Sequence, residues 1–302
     1  MNDAAPLEVA GRVREALAAG QPVVALESTL ITHGFAAPLN LEAVRRAEAA
    51  VRGAGAEPAT VAVHDGRLLV GLSDAELEQL ARAPGPRKAS RATLALALNE
   101  AGWAGTTVSA TMIAAHLAGI RVFATGGIGG VHRGGAQTLD VSADLDELGR
   151  TPVIVVCAGP KSMLDLDLTL EYLETRGVPV LGWQTTELAG FYAPETGRIL
   201  AGSVADAEHA ARVAGAHWQL GLGSGIVIAA PVPEAAALPA GEAADAISRA
   251  LEEAAAAGVR GPAATPWVLA RVAELTDGRS VIANLALIEN NARIAGQIAA
   301  VL

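Results

Sequence analysis

Apolar residues run without alternation at four places in the chain: 22–27 (PVVALE), 122–124 (VFA), 153–157 (VIVVC) and 225–229 (GIVIA). A strand apolar on both faces belongs inside a parallel sheet, so these runs predict its centre. Shorter strands are expected at 60–64 and 68–71, either side of the Asp65-Gly66 turn, and at 178–182. Between the strands the apolar spacing turns helical. A lead-in helix is expected over 7–18, a second over 41–54 capped by Asn40, and a third from Ser73-Asp74 to the break at Pro84-Gly85-Pro86. Further helices are expected at 91–101, behind Gly105-Thr106-Thr107, from Ser142 or Asp144 to Leu148, at 165–177 and at 203–221. The tail is helical at 241–257, 266–276 and 280–301. Strand–helix alternation with no internal repeat and no separating linker predicts one domain spanning 1–302. Its class is α/β, a three-layer α/β/α sandwich around a mostly parallel central sheet.

Composition narrows the partners. Half of the 302 residues are apolar and only 3% aromatic, so Ala, Val and Leu must build the core. A formal charge of −10 argues against nucleic acid or an anionic membrane, because no basic patch exists to neutralise phosphates. A small anionic ligand stays compatible, since a few local cations can hold it. Cys157 is the single cysteine and sits in an apolar strand, which suits a reducing cytoplasm and provides no disulfide framework. The first residues carry acids and no apolar core segment, unlike a signal peptide, and no run reaches the roughly 18 apolar residues of a membrane span. A cytoplasmic protein is expected.

The candidate chemistry gathers at strand ends. Residues 121–144 (RVFATGGIGGVHRGGAQTLDVSAD) start as a strand and pass through Gly126, Gly127, Gly129 and Gly130. They continue through His132 and Arg133 to Asp140, Ser142 and Asp144. Glycines packed behind a strand let the backbone approach a ligand, at the sheet edge where open α/β folds bind theirs. Glu27 ends the first buried strand, and a carboxylate there is placed to act as an acid or base. A partner for a helix N-terminus is the plainer reading of Glu27. Of 22 basic residues only Lys88 and Lys161 are lysine, the other 20 being arginine. Lysine can lose its proton and form an imine, and arginine cannot. Lys161 follows strand 153–157; Lys88 follows the Pro84–Pro86 break, where holding an anion competes with simple surface solubility.

Familiar nucleotide and hydrolase motifs are missing. Counted from Gly127, the glycine run has His132 where a dinucleotide fingerprint needs its last glycine. No P-loop, H-E-x-x-H, C-x-x-C or G-x-S-x-G occurs. Two lysines beside Glu27, Asp140 and Asp144 suggest imine or anion chemistry on a carbonyl sugar. A free lysine, with a pKa of about 10.4, is less than ~0.1% neutral at pH 7. Burial or a second cation must depress it by roughly three pH units to make it a nucleophile. Lys88 is the only other lysine available to Lys161.

Long strings of the chain resemble the pseudouridine-5′-phosphate glycosidases, also called indigoidine synthase A-like proteins. They are VALESTLITHG (24–34), TTVSATM (106–112), FATGGIGGVHRG (123–134), TLDVSADL (138–145), VVCAGPKSMLDL (155–166), TLEYLETRGVPVLGWQT (169–185) and TPWVLARVAELT (265–276). The resemblance implies a lyase that reversibly cleaves the C–C glycosidic bond of pseudouridine 5′-phosphate to uracil and ribose 5-phosphate. It also implies one Mn²⁺ per subunit and a homotrimer. Carried over, Lys161 falls at the imine-forming lysine and Glu27 at the proton donor. Lys88, Val108 and the segment Ser142, Ala143, Asp144 fall at substrate contacts, and Asp140 at the metal ligand. The chain departs at Ala230, where AAPVP replaces an Asn-Pro-x-Pro pattern.

The chemistry agrees with that carry-over. A C-glycoside has no exocyclic oxygen to protonate, so paired carboxylates alone do not suffice. A lysine imine at C1′ of the ring-opened sugar supplies an electron sink, and a carboxylic acid protonates C5 of the departing uracil. The residues by themselves leave two rivals: a class I aldolase-type lyase acting on another sugar phosphate, and a non-catalytic sugar-phosphate-binding regulator using the glycine loop as an anion nest.

Overall fold

The four apolar runs lie side by side in the middle of one sheet. The computed structural model describes residues 6–259 and 264–302. In chain order these form β1 (Leu7–Val9), α1 (Gly11–Ala18), β2 (Val23–Leu26), a π-helical turn (Leu30–Gly34), α2 (Leu39–Gly53), β3 (Glu57–His64), β4 (Arg67–Val70), α3 (Asp74–Arg82) and β5 (Arg87–Ala89). There follow α4 (Leu94–Ala97), β6 (Trp103–Thr106), α5 (Val108–Leu117), β7 (Val122–Ala124), β8 (Val131–His132), α6 (Gly135–Thr138), α7 (Ala143–Leu148) and β9 (Ile154–Cys157). The rest comprises β10 (Leu164–Asp165), α8 (Leu166–Thr175), β11 (Val180–Trp183), β12 (Gly202–Val204), α9 (Ala207–Gln219), β13 (Ile226–Ala229), α10 (Ala240–Ala256), α11 (Ala264–Leu275) and α12 (Arg279–Ala299).

The main sheet has eleven strands in the order β1-β4-β3-β2-β7-β9-β13-β11-β12, with β6 on β3 and β5 on β6. Every pairing from β3 through β2 to β12 is parallel; β3 meets β4 and β6 antiparallel. Alternate side chains of the central strands enter separate apolar layers. Val24, Leu26, Val122, Ala124, Ile154 and Val156 pack toward α2, α9, α10, α11 and α12. Val23, Ala25, Phe123, Val155 and Cys157 pack toward α1, α5, α7 and α8. This is the three-layer sandwich with a mostly parallel sheet that the apolar runs predict. No helix among the described residues is long and apolar enough to cross a membrane.

Edge elements depart from expectation. Leu7–Val9 pair with Leu68–Val70 instead of opening the first helix, because β4 offers a free edge there. Trp103–Thr106 form β6 rather than a helix entry, and residues 202–204 form β12, so α9 starts only at Ala207. The helix expected at 91–101 shrinks to Leu94–Ala97. Asn40 is no cap. It sits inside α2, buried, with Nδ2 donating to the Ile31 carbonyl at 3.1 Å and the Ala81 carbonyl at 3.2 Å. Ser73 does cap α3, with Glu76 returning the bond in a capping box.

The sheet splits where the chemistry is expected. β3 pairs with β2 through residues 57–60 and with β6 through residues 62–64. β2 therefore stops at Leu26 while β6 arrives from the opposite direction, and the two chain ends meet. The Thr106 amide donates to Ser28 Oγ at 2.9 Å across that junction. Glu27 and Thr107 leave it on the same edge.

Gly159, in the turn after β9, is held at φ +82°, and an added Cβ would meet the Ala189 carbonyl at 2.5 Å. Gly159→Ala should lose about 2–3 kcal/mol of stability, combining strain and a backbone clash. Chemical denaturation measures it; an unchanged midpoint would contradict this packing.

Candidate active site

Glu27 emerges from β2 almost completely buried, 2% exposed. Both of its oxygens are occupied, one by the Thr29 hydroxyl and the other by that of Thr125. A hydroxyl can donate to a carboxylate or accept from a carboxylic acid. Glu27 is thus kept in place in either protonation state. Thr125 is itself fixed from behind, because Asn291 Nδ2 of α12 donates to its carbonyl at 2.8 Å.

The glycine loop is drawn inward by Asp144, which is 5% exposed. One carboxylate oxygen accepts the Ser109 amide at 2.9 Å, in the first turn of α5. The other accepts the Gly129 amide, also at 2.9 Å. The backbone of Gly129 comes so close that an added Cβ would collide with Ser142 and approach Asp144 Oδ2 to 2.7 Å. Asp144 lies in the first turn of α7, which Ser142 caps, its Oγ accepting the Asp144 amide at 3.3 Å.

Lys161 follows β9 and the Gly159 turn, its amide bonded to the Ile128 carbonyl at 3.0 Å. Lys88 stands in β5, opposite Gly105 of β6. Lys88 keeps an exposed surface, yet its ammonium has lost enough hydration to sit below the usual lysine range. Desolvation is the larger cause and the Lys161 charge the next; Asp144 and Glu27 oppose both. The sequence points to Lys88 as the cation acting on Lys161; in the structure the Lys161 charge acts on Lys88. His33, on the π-helical turn, is also lowered, by burial and then by Lys88. Its Nδ1 meets the Thr32 hydroxyl at 2.7 Å.

All eight residues singled out from the sequence line one cavity of about 330 Å³: Glu27, Lys88, Val108, Asp140, Ser142, Ala143, Asp144 and Lys161. A narrow extension of about 50 Å³ shares Glu27, Lys88 and Lys161 and adds His33, Phe191 and Asn284. Asn284 Oδ1 is buried there with no hydrogen-bond partner. A larger cavity of about 650 Å³ beside Asp167 and Arg198 contains neither lysine nor Glu27. Ala230 lines none of these cavities; it is buried, with its amide on the Cys157 carbonyl at 2.8 Å. Cys157 is fully buried and its thiol is pushed up to about 12, chiefly by burial, which makes it a poor nucleophile.

Sequence reasoning missed Thr29, Thr125, His33, Asn284 and Asn291. Asn284 and Asn291 carried a signal, two amides seven residues apart on the mostly apolar buried face of α12. No group of three His, Cys, Asp or Glu side chains able to cage a metal occurs among the described residues. Asp140 presents one exposed carboxylate at the rim, with His132 also on the cavity wall.

Asp144→Asn should place an amide N–H₂ against a backbone N–H and cost about 1–3 kcal/mol. Hydrogen exchange at Ser109 and Gly129 should quicken with it. Unchanged protection of both amides would contradict the clamp.

The chain matches the family of indigoidine synthase A-like proteins over residues 12–301. A pseudouridine-5′-phosphate glycosidase of Sorangium cellulosum is 53% identical over 97% of this chain and 92% of its own length. One from Alkaliphilus metalliredigens is 48% identical over 98% and 96%. Among solved structures, the prealnumycin C-glycosynthase in complex with ribulose 5-phosphate superposes with a TM-score of 0.90 at 41% identity, covering 98% of this chain and 96% of that one. An indigoidine synthase A-like protein of Thermotoga maritima gives 0.88 at 34%, covering 97% and 95%. With its fold, cavity and near full-length likeness in agreement, the chain belongs to the indigoidine synthase A-like family.

Proposed function

We propose that this protein is a lyase that reversibly cleaves the C–C glycosidic bond of pseudouridine 5′-phosphate, giving uracil and ribose 5-phosphate. The observation that carries the reading is the meeting of both lysines and a buried, hydroxyl-held carboxylate in one cavity. The near full-length likeness to pseudouridine-5′-phosphate glycosidases and the phosphopentose held by the related C-glycosynthase support it.

Each residue then has a task. Lys88 and the start of α5 at Thr107 and Val108 form the positive wall for the phosphate. Lys161 attacks C1′ of the opened sugar; as the C1′–C5 bond breaks its electron pair leaves with uracil and the lysine nitrogen's lone pair forms the imine, and in the synthetic direction that imine takes up the pair C5 supplies. Glu27 delivers the proton to C5 of the departing uracil and withdraws it in the synthetic direction. Asn284 Oδ1 accepts an N–H from the base edge entering the narrow extension. Ser142 and Ala143 close the sugar wall, with Asp144 fixing their backbone.

A divalent cation such as Mn²⁺ fits only an open arrangement, since among the described residues Asp140 is the one exposed carboxylate on the cavity. Such ions bind by one or two carboxylates, several waters and a substrate phosphate. Bound there, the cation would supply charge neutralisation for the anionic sugar phosphate. The same reading takes the protein to be a cytoplasmic homotrimer, which sedimentation of the purified chain reports.

Uracil release from pseudouridine 5′-phosphate is the direct test of the reaction. Lys161→Arg keeps the charge but cannot form an imine, so kcat should fall at least ~10³-fold. Retention of a tenth of wild-type turnover would overturn the assignment. In wild type, kcat/KM should fall on the alkaline side below the usual lysine range of about 10.4, as Lys88 loses its proton. Lys88→Arg stays charged, so that limb should move to higher pH. A limb that does not move would remove Lys88 from phosphate binding. Asp140→Asn should abolish any Mn²⁺ stimulation and weaken Mn²⁺ binding measured by calorimetry; unaltered binding would place the ion elsewhere.

A further inference from the structure

Glu147 is a buried carboxylate that the proposed reaction does not use. It is 1% exposed, sits on α7 three residues after Asp144, and lines none of the cavities. One oxygen takes the Arg91 guanidinium and the other the Thr151 hydroxyl. Arg91 likewise stays off the cavity, though Ser90 and Thr93 beside it are on the wall. Its amide donates to Ser109 Oγ at 3.1 Å, and the Ser109 amide is the one that Asp144 accepts at 2.9 Å. The bonds therefore close a ring: from Arg91 to Glu147, along one turn of α7 to Asp144, to Ser109 and back to Arg91. The segment carrying Lys88 is stiffened within itself, because Thr93 Oγ1 donates to the Lys88 carbonyl at 3.1 Å and accepts the Ser90 amide at 2.9 Å.

We infer that Arg91 and Glu147 are positioning residues whose ion pair clamps the Lys88 segment to α7 and sets the spacing between Lys88 and the Ser142–Asp144 wall. Exposed ion pairs contribute little, but here the carboxylate is buried, and leaving Glu147 without the Arg91 guanidinium would be costly. Its effect falls on binding the sugar phosphate, for which those two walls must face each other, rather than on the imine chemistry at Lys161. The assignment of the walls to substrate rests on the reaction proposed above.

Glu48 provides a built-in control. It is buried on α2 with Arg52 and Thr60 as partners, and it lines none of the cavities. Uracil release from pseudouridine 5′-phosphate, melting temperature and hydrogen exchange should be measured for wild type, Glu147→Gln, Glu48→Gln and the double variant Arg91→Met/Glu147→Met. Glu147→Gln should raise KM about tenfold, the size of a lost charge-assisted hydrogen bond, with kcat little changed. The double variant removes both charges together, so it should melt near wild type yet keep the raised KM. Glu48→Gln should lower the melting temperature and leave KM alone. A double variant with wild-type KM would overturn the inference. If wild type releases no uracil, the proposed reaction fails by itself, and exchange decides the clamp. Faster exchange at the Arg91 and Ser109 amides of the double variant supports it, and unchanged exchange overturns it.

Discussion

The carboxylate of Asp144 is the constraint on which the cavity depends. It lies between two backbone amides that come from different parts of the sheet, Gly129 behind β7 and Ser109 in α5 behind β6. Hydrogen bonds to a charged acceptor contribute about 1.5–3 kcal/mol each, and a buried carboxylate stripped of them costs several kcal/mol. The glycine loop and the start of α5 therefore cannot drift apart independently. That fixed gap gives Lys88, Val108 and Ser142 a common centre. It also explains the glycine at 129, where any side chain would enter the space Asp144 and Ser142 already fill.

Around this frame the charges divide their work by environment. Glu27 and Asp144 are both buried carboxylates, but Asp144 is spent on backbone amides while Glu27 faces two hydroxyls that can pass a proton either way. The two lysines share the cavity, and the Lys161 charge adds to the cost of charging Lys88. Arginine could hold the phosphate, but it could not give up a proton in response to that repulsion. A chain that otherwise uses arginine almost throughout keeps lysine at two positions, and both face this cavity.

The sequence disclosed what depended on burial and on strand ends. β2, β7, β9 and β13 are apolar on both faces and stand out as runs, and Glu27 and Lys161 follow directly from where two of them stop. β1, β5, β6 and β12 did not stand out. Three or four residues carry no usable period, and each forms only because a neighbouring edge is free to pair. The site shows the same boundary. Residues 140–144 were legible as chemistry, but the inward turn of Asp144 onto two amides was not. Thr125 and Asn291 are 166 residues apart, and their bond exists only because α12 crosses the end of β7. Local pattern contains nothing of that crossing, nor of the unpartnered Asn284 amide that it carries to the cavity.

In the proposed reaction Lys161, and not Lys88, becomes bonded to the sugar. Borohydride reduction of the protein with ribose 5-phosphate, followed by peptide mass spectrometry, locates that bond. A reduced pentose-phosphate adduct is expected on the peptide containing Lys161, with Lys88 unmodified. An adduct on Lys88 alone, or uracil release from pseudouridine 5′-phosphate with no trapped lysine at all, would contradict it.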